Sequence, residues 1–64
     1  MTYDQAVKEA SRQAVEANDD RYVNEGEEGC YVATEGSAAT IYIAEPCYES
    51  AVIAKHATTG RIYR

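Results

Sequence analysis

The sequence predicts an α+β domain in which one N-terminal amphipathic helix packs on a three- to five-stranded antiparallel meander sheet. Apolar residues recur at helical spacing in the first quarter of the chain, and several short β-prone runs follow. The connections between these runs are short, which makes neighbouring strands antiparallel. Because the chain has only 64 residues, we expect one domain over residues 1–64 with a thin core.

The helix is predicted from about residue 3 to residue 17. Thr2 and Gln5 have the spacing of a capping box, in which each side chain bonds to the backbone of the other residue. The apolar stripe that follows is mostly alanine and consists of Tyr3, Ala6, Val7, Ala10, Ala14 and Ala17. Asn18 is predicted to end the helix, since asparagine tolerates the left-handed conformation. The small stripe predicts a close approach of the helix to the sheet.

Residues 18–29 are predicted to form an acidic turn and loop, with a short first strand at 21–23. Antiparallel strands are predicted over about 30–64. Their expected ranges are 30–34, 38–44, 50–56 and 61–64.

The run 38–44 is the most β-prone part of the chain and is expected to be the central strand. Alternation places Ile41 and Ile43 on one aliphatic face, which the helix is expected to cover, and Tyr42 on the other. Residues 35–37 are predicted to form a tight turn into this strand, with Gly36 available for a positive φ.

The residues that usually perform catalysis are scarce. His56 is the only histidine, and neither cysteine has the spacing of a metal or redox motif. We interpret Cys30 and Cys47 as small buried thiols; the alternatives are a disulfide between neighbouring strands and a three-ligand metal site with His56. The sequence therefore predicts a non-enzymatic protein without cofactor or metal.

No apolar run approaches the roughly 18 residues that a membrane span requires. Residues 1–4 have neither the basic region nor the apolar region of a secretory signal. We therefore expect a cytoplasmic protein with no membrane partner.

The negative charge is unevenly distributed. The net charge is −5, and residues 16–28 contain six acidic residues against Arg21 alone, whereas the charges of the remaining chain cancel. Carboxylates gathered in this way can occupy a row of Lys and Arg side chains built for nucleic-acid phosphates. Tyrosine favours interfaces, so Tyr22 and Tyr42 are added to the candidates. The candidate partner-binding residues are Glu16, Asp19, Asp20, Tyr22, Glu25, Glu27, Glu28 and Tyr42.

Three other interpretations remain open. The acidic segment can be a solvated loop without a partner. The chain can be a small structural or interaction module, either a monomer or a homodimer that pairs through residues 61–64 at a sheet edge. An enzyme would need a polar cleft that the sequence does not indicate. Direct nucleic-acid binding is not expected, since Arg61 and Arg64 form too small a basic patch.

The acidic segment 16–28 and the order of one helix followed by strands resemble the small acidic phage-encoded anti-CRISPR proteins that act against type I systems. The resemblance covers the whole chain through its length, its acidity and its α-then-β order, and it assigns no role to a particular residue. It implies a stoichiometric inhibitor, acting in the cytoplasm of an infected host. The implied partner is the basic DNA- or PAM-binding surface of a Cascade-type surveillance complex.

Overall fold

A computed structural model describes residues 1–47 and 52–63. It contains one helix, α1 (Tyr3–Ala17), and four strands, β1 (Arg21–Gly26), β2 (Gly29–Ala33), β3 (Thr40–Pro46) and β4 (Val52–His56). The strands form one antiparallel sheet in the order β2-β1-β3-β4, and α1 contacts all four. The predicted α+β class is confirmed.

Helix α1 begins and ends where the sequence predicts. The backbone N–H of Gln5 donates to Thr2 Oγ1 at 3.2 Å, and the N–H of Thr2 donates to Gln5 Oε1 at 3.0 Å. This reciprocal pair is the predicted capping box. Asn18 ends the helix in the left-handed conformation, at φ 50°. Local hydrogen bonding therefore determines both ends of α1.

The core lies between α1 and one face of the sheet. The contact residues on the helix are small, which lets the two layers approach closely and leaves Val23 as the largest fully buried side chain. The buried hydrophobic residues are Ala6, Val7, Ala10, Ala14, Val23, Cys30 and Ala44.

The predicted meander order is wrong. Strand β1 lies between β2 and β3, so residues 34–39 must cross β1 to join them. This connection passes over the sheet face opposite α1, where Gly36 lies against the ring of Tyr22. Asn24 is buried beneath it, donates to the carbonyl oxygen of Glu35 at 3.4 Å and accepts from Thr40 Oγ1 at 2.5 Å.

The predicted tight turn at residues 35–37 is also wrong. Gly36 does not adopt a positive φ, unlike Gly29 at 114° and Gly60 at 73°. Glycine fits this position because the space is narrow, since a Cβ at Gly36 would lie 3.1 Å from the Tyr22 ring.

Strand β1 is longer than the predicted 21–23, and much of the predicted loop 18–29 is paired. Asn24, Glu25 and Gly26 pair with Tyr31, Cys30 and Gly29, which leaves a two-residue turn at Glu27–Glu28. The glycines at both ends of this turn make a tight hairpin, and Gly29 provides the positive φ that it needs.

The predicted faces of the central strand are reversed at Tyr42 and Ile43, whereas Ile41 packs against the core as expected. Tyr42 pairs with the buried Val23 and contacts Tyr3 of α1, while Ile43 pairs with Tyr22 on the opposite face. The ladder between β1 and β3 shifts register at Val23/Asn24. Such a bulge changes which side chains point to the core, so simple alternation fails here.

The C-terminal segment forms less strand than predicted. Instead of a strand at 61–64, the structure has an isolated bridge between Lys55 and Ile62, and residue 64 lies outside the described residues. Strand β4 covers 52–56 of the predicted 50–56; residues 50 and 51 are likewise outside the described part. Within the described residues, no helix is both long and apolar enough to cross a membrane.

Candidate protein-binding surface

The acidic segment is divided between the two ends of β1. Glu16, Asp19 and Asp20, the helix-end acids, precede the strand, whereas Glu27 and Glu28 form the turn that follows it. Six residues of strand separate the two groups by about 20 Å, at ~3.3 Å per residue. The structure therefore does not gather all six carboxylates in one place.

The helix-end acids lie among the protein's own cations. Arg12 Nη1 is 2.7 Å from Glu16 Oε2, and Arg21 Nη1 is 3.8 Å from Asp19 Oδ2. The same Arg21 nitrogen donates to the carbonyl oxygen of Asp20 at 2.8 Å. These contacts reduce the negative charge that this end presents to a partner.

The hairpin tip, which we define as residues 25–29, has no comparable cation. Glu27 and Glu28 are exposed and form no ion pair with any described residue. Lys8, in the first half of α1, does not pair with the tip, because its Nζ lies 3.1 Å from Asp4 Oδ2 in the same helix. Within residues 1–47 and 52–63, the carboxylates without an ion pair are Asp20, Glu25, Glu27, Glu28 and Glu35. Three of these belong to the hairpin tip.

Glu25 joins the hairpin tip to the helix. The Tyr3 hydroxyl donates to Glu25 Oε2 at 2.7 Å. This hydrogen bond and the carboxylate charge raise the pKa of Tyr3 above its ordinary value of 10.0. The contact holds Glu25 in place, so the tip is anchored to α1.

The two candidate tyrosines lie on opposite faces of the sheet. Tyr42 is half-buried at the centre of an aromatic cluster, with ring centroids 6.1 Å from Tyr3, 5.3 Å from His56 and 4.9 Å from Tyr63, all edge-to-face. Tyr22 is half-buried beside Gly36. Tyr42 therefore packs the domain, and neither tyrosine adjoins the hairpin tip.

Tyr31 is the aromatic residue that the sequence reasoning did not select. It is 49% exposed, and its ring lies beside Gly26 at the base of the hairpin tip. The available signal was the alternation of β2, since Cys30 and Val32 take the core face and leave Tyr31 on the other.

His56 stabilises a turn, and neither cysteine forms a disulfide. His56 Nδ1 accepts the backbone N–H groups of Thr58 and Thr59 at 3.1 and 3.3 Å, which stabilises the turn after β4. Both cysteines are free thiols, so the disulfide alternative is wrong. Cys30 is buried as predicted, whereas Cys47 is exposed, so the interpretation as a buried thiol is wrong for Cys47. Burial raises the pKa of the Cys30 thiol above its ordinary value. Within the described residues, no three His, Cys, Asp or Glu side chains are grouped closely enough to hold a metal ion.

Comparison of the chain with protein-family models, with curated proteins and with solved structures finds no match.

Proposed function

We propose that this protein is a non-enzymatic acidic inhibitor that binds the basic nucleic-acid-binding surface of another protein. The hairpin tip is its principal contact. The observation that carries this proposal is the distribution of ion pairs, because Glu27 and Glu28 are exposed and form none within the described residues.

The chemistry of the tip suits a surface that ordinarily holds phosphates. Glu25, Glu27 and Glu28 lie within four consecutive residues of one tight hairpin, so their charges act together. Rows of Lys and Arg attract such a group over about 10 Å at moderate ionic strength. A rigid hairpin also loses little conformational entropy when it binds.

The helix-end acids have a secondary role in this proposal. Glu16 and Asp19 keep internal partners, so they contribute to the long-range field that speeds encounter. Tyr31, exposed beside the tip, supplies apolar area and a hydroxyl at the edge of the contact.

The specific partner that we propose is a Cascade-type CRISPR surveillance complex, as the resemblance to acidic anti-CRISPR proteins implies. The tip would occupy the basic site that recognises target DNA or its PAM. The carboxylates would substitute for phosphates, which makes inhibition stoichiometric and competitive with DNA.

Charge reversal at the tip tests this proposal. The double variant Glu27→Lys with Glu28→Lys should weaken binding to a purified type I surveillance complex by roughly 30-fold, since two attractions of ~0.5 kcal/mol each become repulsions. Association rates measured at low and high salt should show that the variant has lost most of the salt dependence of the wild type.

The matched control reverses the same number of charges at the other end of β1. Asp19→Lys with Asp20→Lys changes the net charge equally, and it should reduce binding much less than the tip variant. Thermal unfolding of both variants checks that each remains folded. A tip variant that binds as fast as the wild type at every salt concentration would refute the proposal.

A further inference from the structure

The outer edge of β2 has backbone groups without partners. In the hairpin, the N–H of Cys30 donates away from β1, to the carbonyl oxygen of Met1 at 3.2 Å. Antiparallel pairing alternates along a strand, so the N–H and C=O of Val32 also point outward. No group within residues 1–47 and 52–63 bonds to them.

The opposite edge of the sheet is covered in part. Segment 61–63 lies along β4, where the N–H of His56 donates to Arg61 at 2.8 Å and the N–H of Tyr63 donates to Ala54 at 2.8 Å. The edge expected to be open from the sequence, residues 61–64, is therefore engaged in its described part. Strand β2 carries the more open edge.

Strand β2 has none of the usual features that prevent edge pairing. Its five residues are Gly-Cys-Tyr-Val-Ala, with no charge, no proline and no bulge in its ladder to β1. The ring of Tyr31 is exposed on the face away from α1.

We propose that β2 pairs with β2 of a second copy of this chain, antiparallel and centred on Val32. A two-fold axis at this residue brings the outward N–H and C=O of each Val32 against those of the other copy. Tyr31 then faces Ala33 of the second copy, and the two four-stranded sheets become continuous. This pairing does not use the carboxylates of Glu27 and Glu28, so it does not rest on the proposed inhibition, and Tyr31 is the residue that the two contacts share.

The lack of charge along the paired residues favours a second copy as the occupant. In this register Val32 faces Val32, Tyr31 faces Ala33 and Cys30 faces Thr34, and the pairing ends there because residues 34–39 leave the edge to cross β1. None of these residues is charged, so the ladder sets no like charges opposite each other. Because the Cys30 N–H already donates to the carbonyl oxygen of Met1, few β2 groups remain for the ladder between the two copies, so the dimer is weak.

Sedimentation and amide exchange test this arrangement in the wild-type protein. Raising the protein concentration to about 1 mM should give a dimer. The dimer fraction should be higher at about 500 mM salt than at about 50 mM salt, because salt screens the repulsion between two copies that each carry a charge of −5. Exchange of the Val32 amide should slow as the dimer forms. A monomer at every concentration and salt, or a dimer in which Val32 exchange stays unchanged, would overturn the proposal.

Paired variants test the register. Tyr31→Lys with Ala33→Lys sets like charges opposite each other twice, whereas Tyr31→Glu with Ala33→Lys sets opposite charges there. The second variant should dimerise roughly 30-fold more tightly than the first. Equal dimerisation of the two folded variants would contradict the register, and wild-type Val32 exchange decides the matter should either variant unfold.

Discussion

The hydrogen bond between Tyr3 and Glu25 couples the helix to the hairpin tip at the scale of single residues. The phenol donates and the carboxylate accepts at 2.7 Å, so ionisation of the phenol removes the donor and sets two negative charges together. The pKa of Tyr3 is raised for both reasons. The bond therefore holds the tip in place only while Tyr3 is protonated.

This pKa shift predicts the effect of alkaline pH. A pKa raised above its unfolded value of 10.0 contributes stability that is complete below that pH and is lost as pH rises through the folded pKa. The pKa of Tyr63 is also raised, by burial and by the nearby Asp4 carboxylate, so ultraviolet titration should show at least two late-ionising phenols in the wild type. Tyr3→Phe should lack one of them, and the variant should lose less stability at high pH. If Tyr3→Phe lost a phenol of ordinary pKa and kept every late-ionising one, the assignment of the raised pKa to Tyr3 would be contradicted.

Asn24 and Thr40 hold the connection 34–39 against the sheet. Asn24 is 3% exposed, and its Oδ1 depends on the Thr40 hydroxyl, which also accepts the N–H of Ser37 at 2.8 Å. A buried acceptor without its donor costs free energy because water cannot replace the bond.

Thr40→Val should therefore lower the free energy of unfolding by about 1–3 kcal/mol. Thr58→Val is the control, since it makes the same change at an exposed position. Urea denaturation measures both variants. Equal, small effects would show that the Asn24–Thr40 bond does not stabilise the crossing connection.

At the scale of the elements, the alanine stripe sets the distance between α1 and the sheet. Ala6, Ala10 and Ala14 are each 0% exposed, so the helix backbone lies close to the strands. A larger side chain in this layer has no space unless the two layers separate.

Ala10→Leu should therefore destabilise the domain by about 1–3 kcal/mol, despite the excellent helix propensity of leucine. Ala17→Leu, in the same helix but exposed, should change stability by less than about 0.5 kcal/mol. Thermal unfolding compares the two variants. If Ala10→Leu were as stable as Ala17→Leu, the close packing of α1 on the sheet would be refuted.

The helix was predictable from the sequence because its signals are local. The capping box at Thr2 and Gln5 and the end at Asn18 each involve residues within five positions of one another. The strand order was not predictable, since the crossing of β1 depends on contacts between distant residues. The packing of Gly36 on Tyr22 and the bond from Thr40 to Asn24 join positions 14 and 16 apart.

The candidate site was predictable in composition and not in geometry. The sequence identified the acidic segment, but ion pairing separates its members, because Arg12 reaches Glu16 along the helix and Arg21 reaches Asp19. The bulge at Val23/Asn24 turned Tyr42 towards the core, which alternation alone could not reveal.

At the scale of the whole molecule, the negative charge without ion pairs is concentrated at the hairpin tip. The two ends of β1 lie about 20 Å apart at ~3.3 Å per residue, which is about two Debye lengths at moderate ionic strength, so a partner senses the two ends separately. Internal ion pairs offset Glu16 and Asp19 among the helix-end acids, whereas Glu25, Glu27 and Glu28 of the hairpin tip form no ion pair with a described residue. A basic surface should therefore meet the tip first.

The most direct test of this account is displacement of target DNA from a purified type I surveillance complex. Labelled DNA should leave the complex as about one equivalent of the protein is added, and the release should weaken as salt rises. The Glu27→Lys/Glu28→Lys variant should release little DNA, while Asp19→Lys/Asp20→Lys should release much more than the tip variant. DNA that stays bound at every ratio of the wild-type protein would contradict the account.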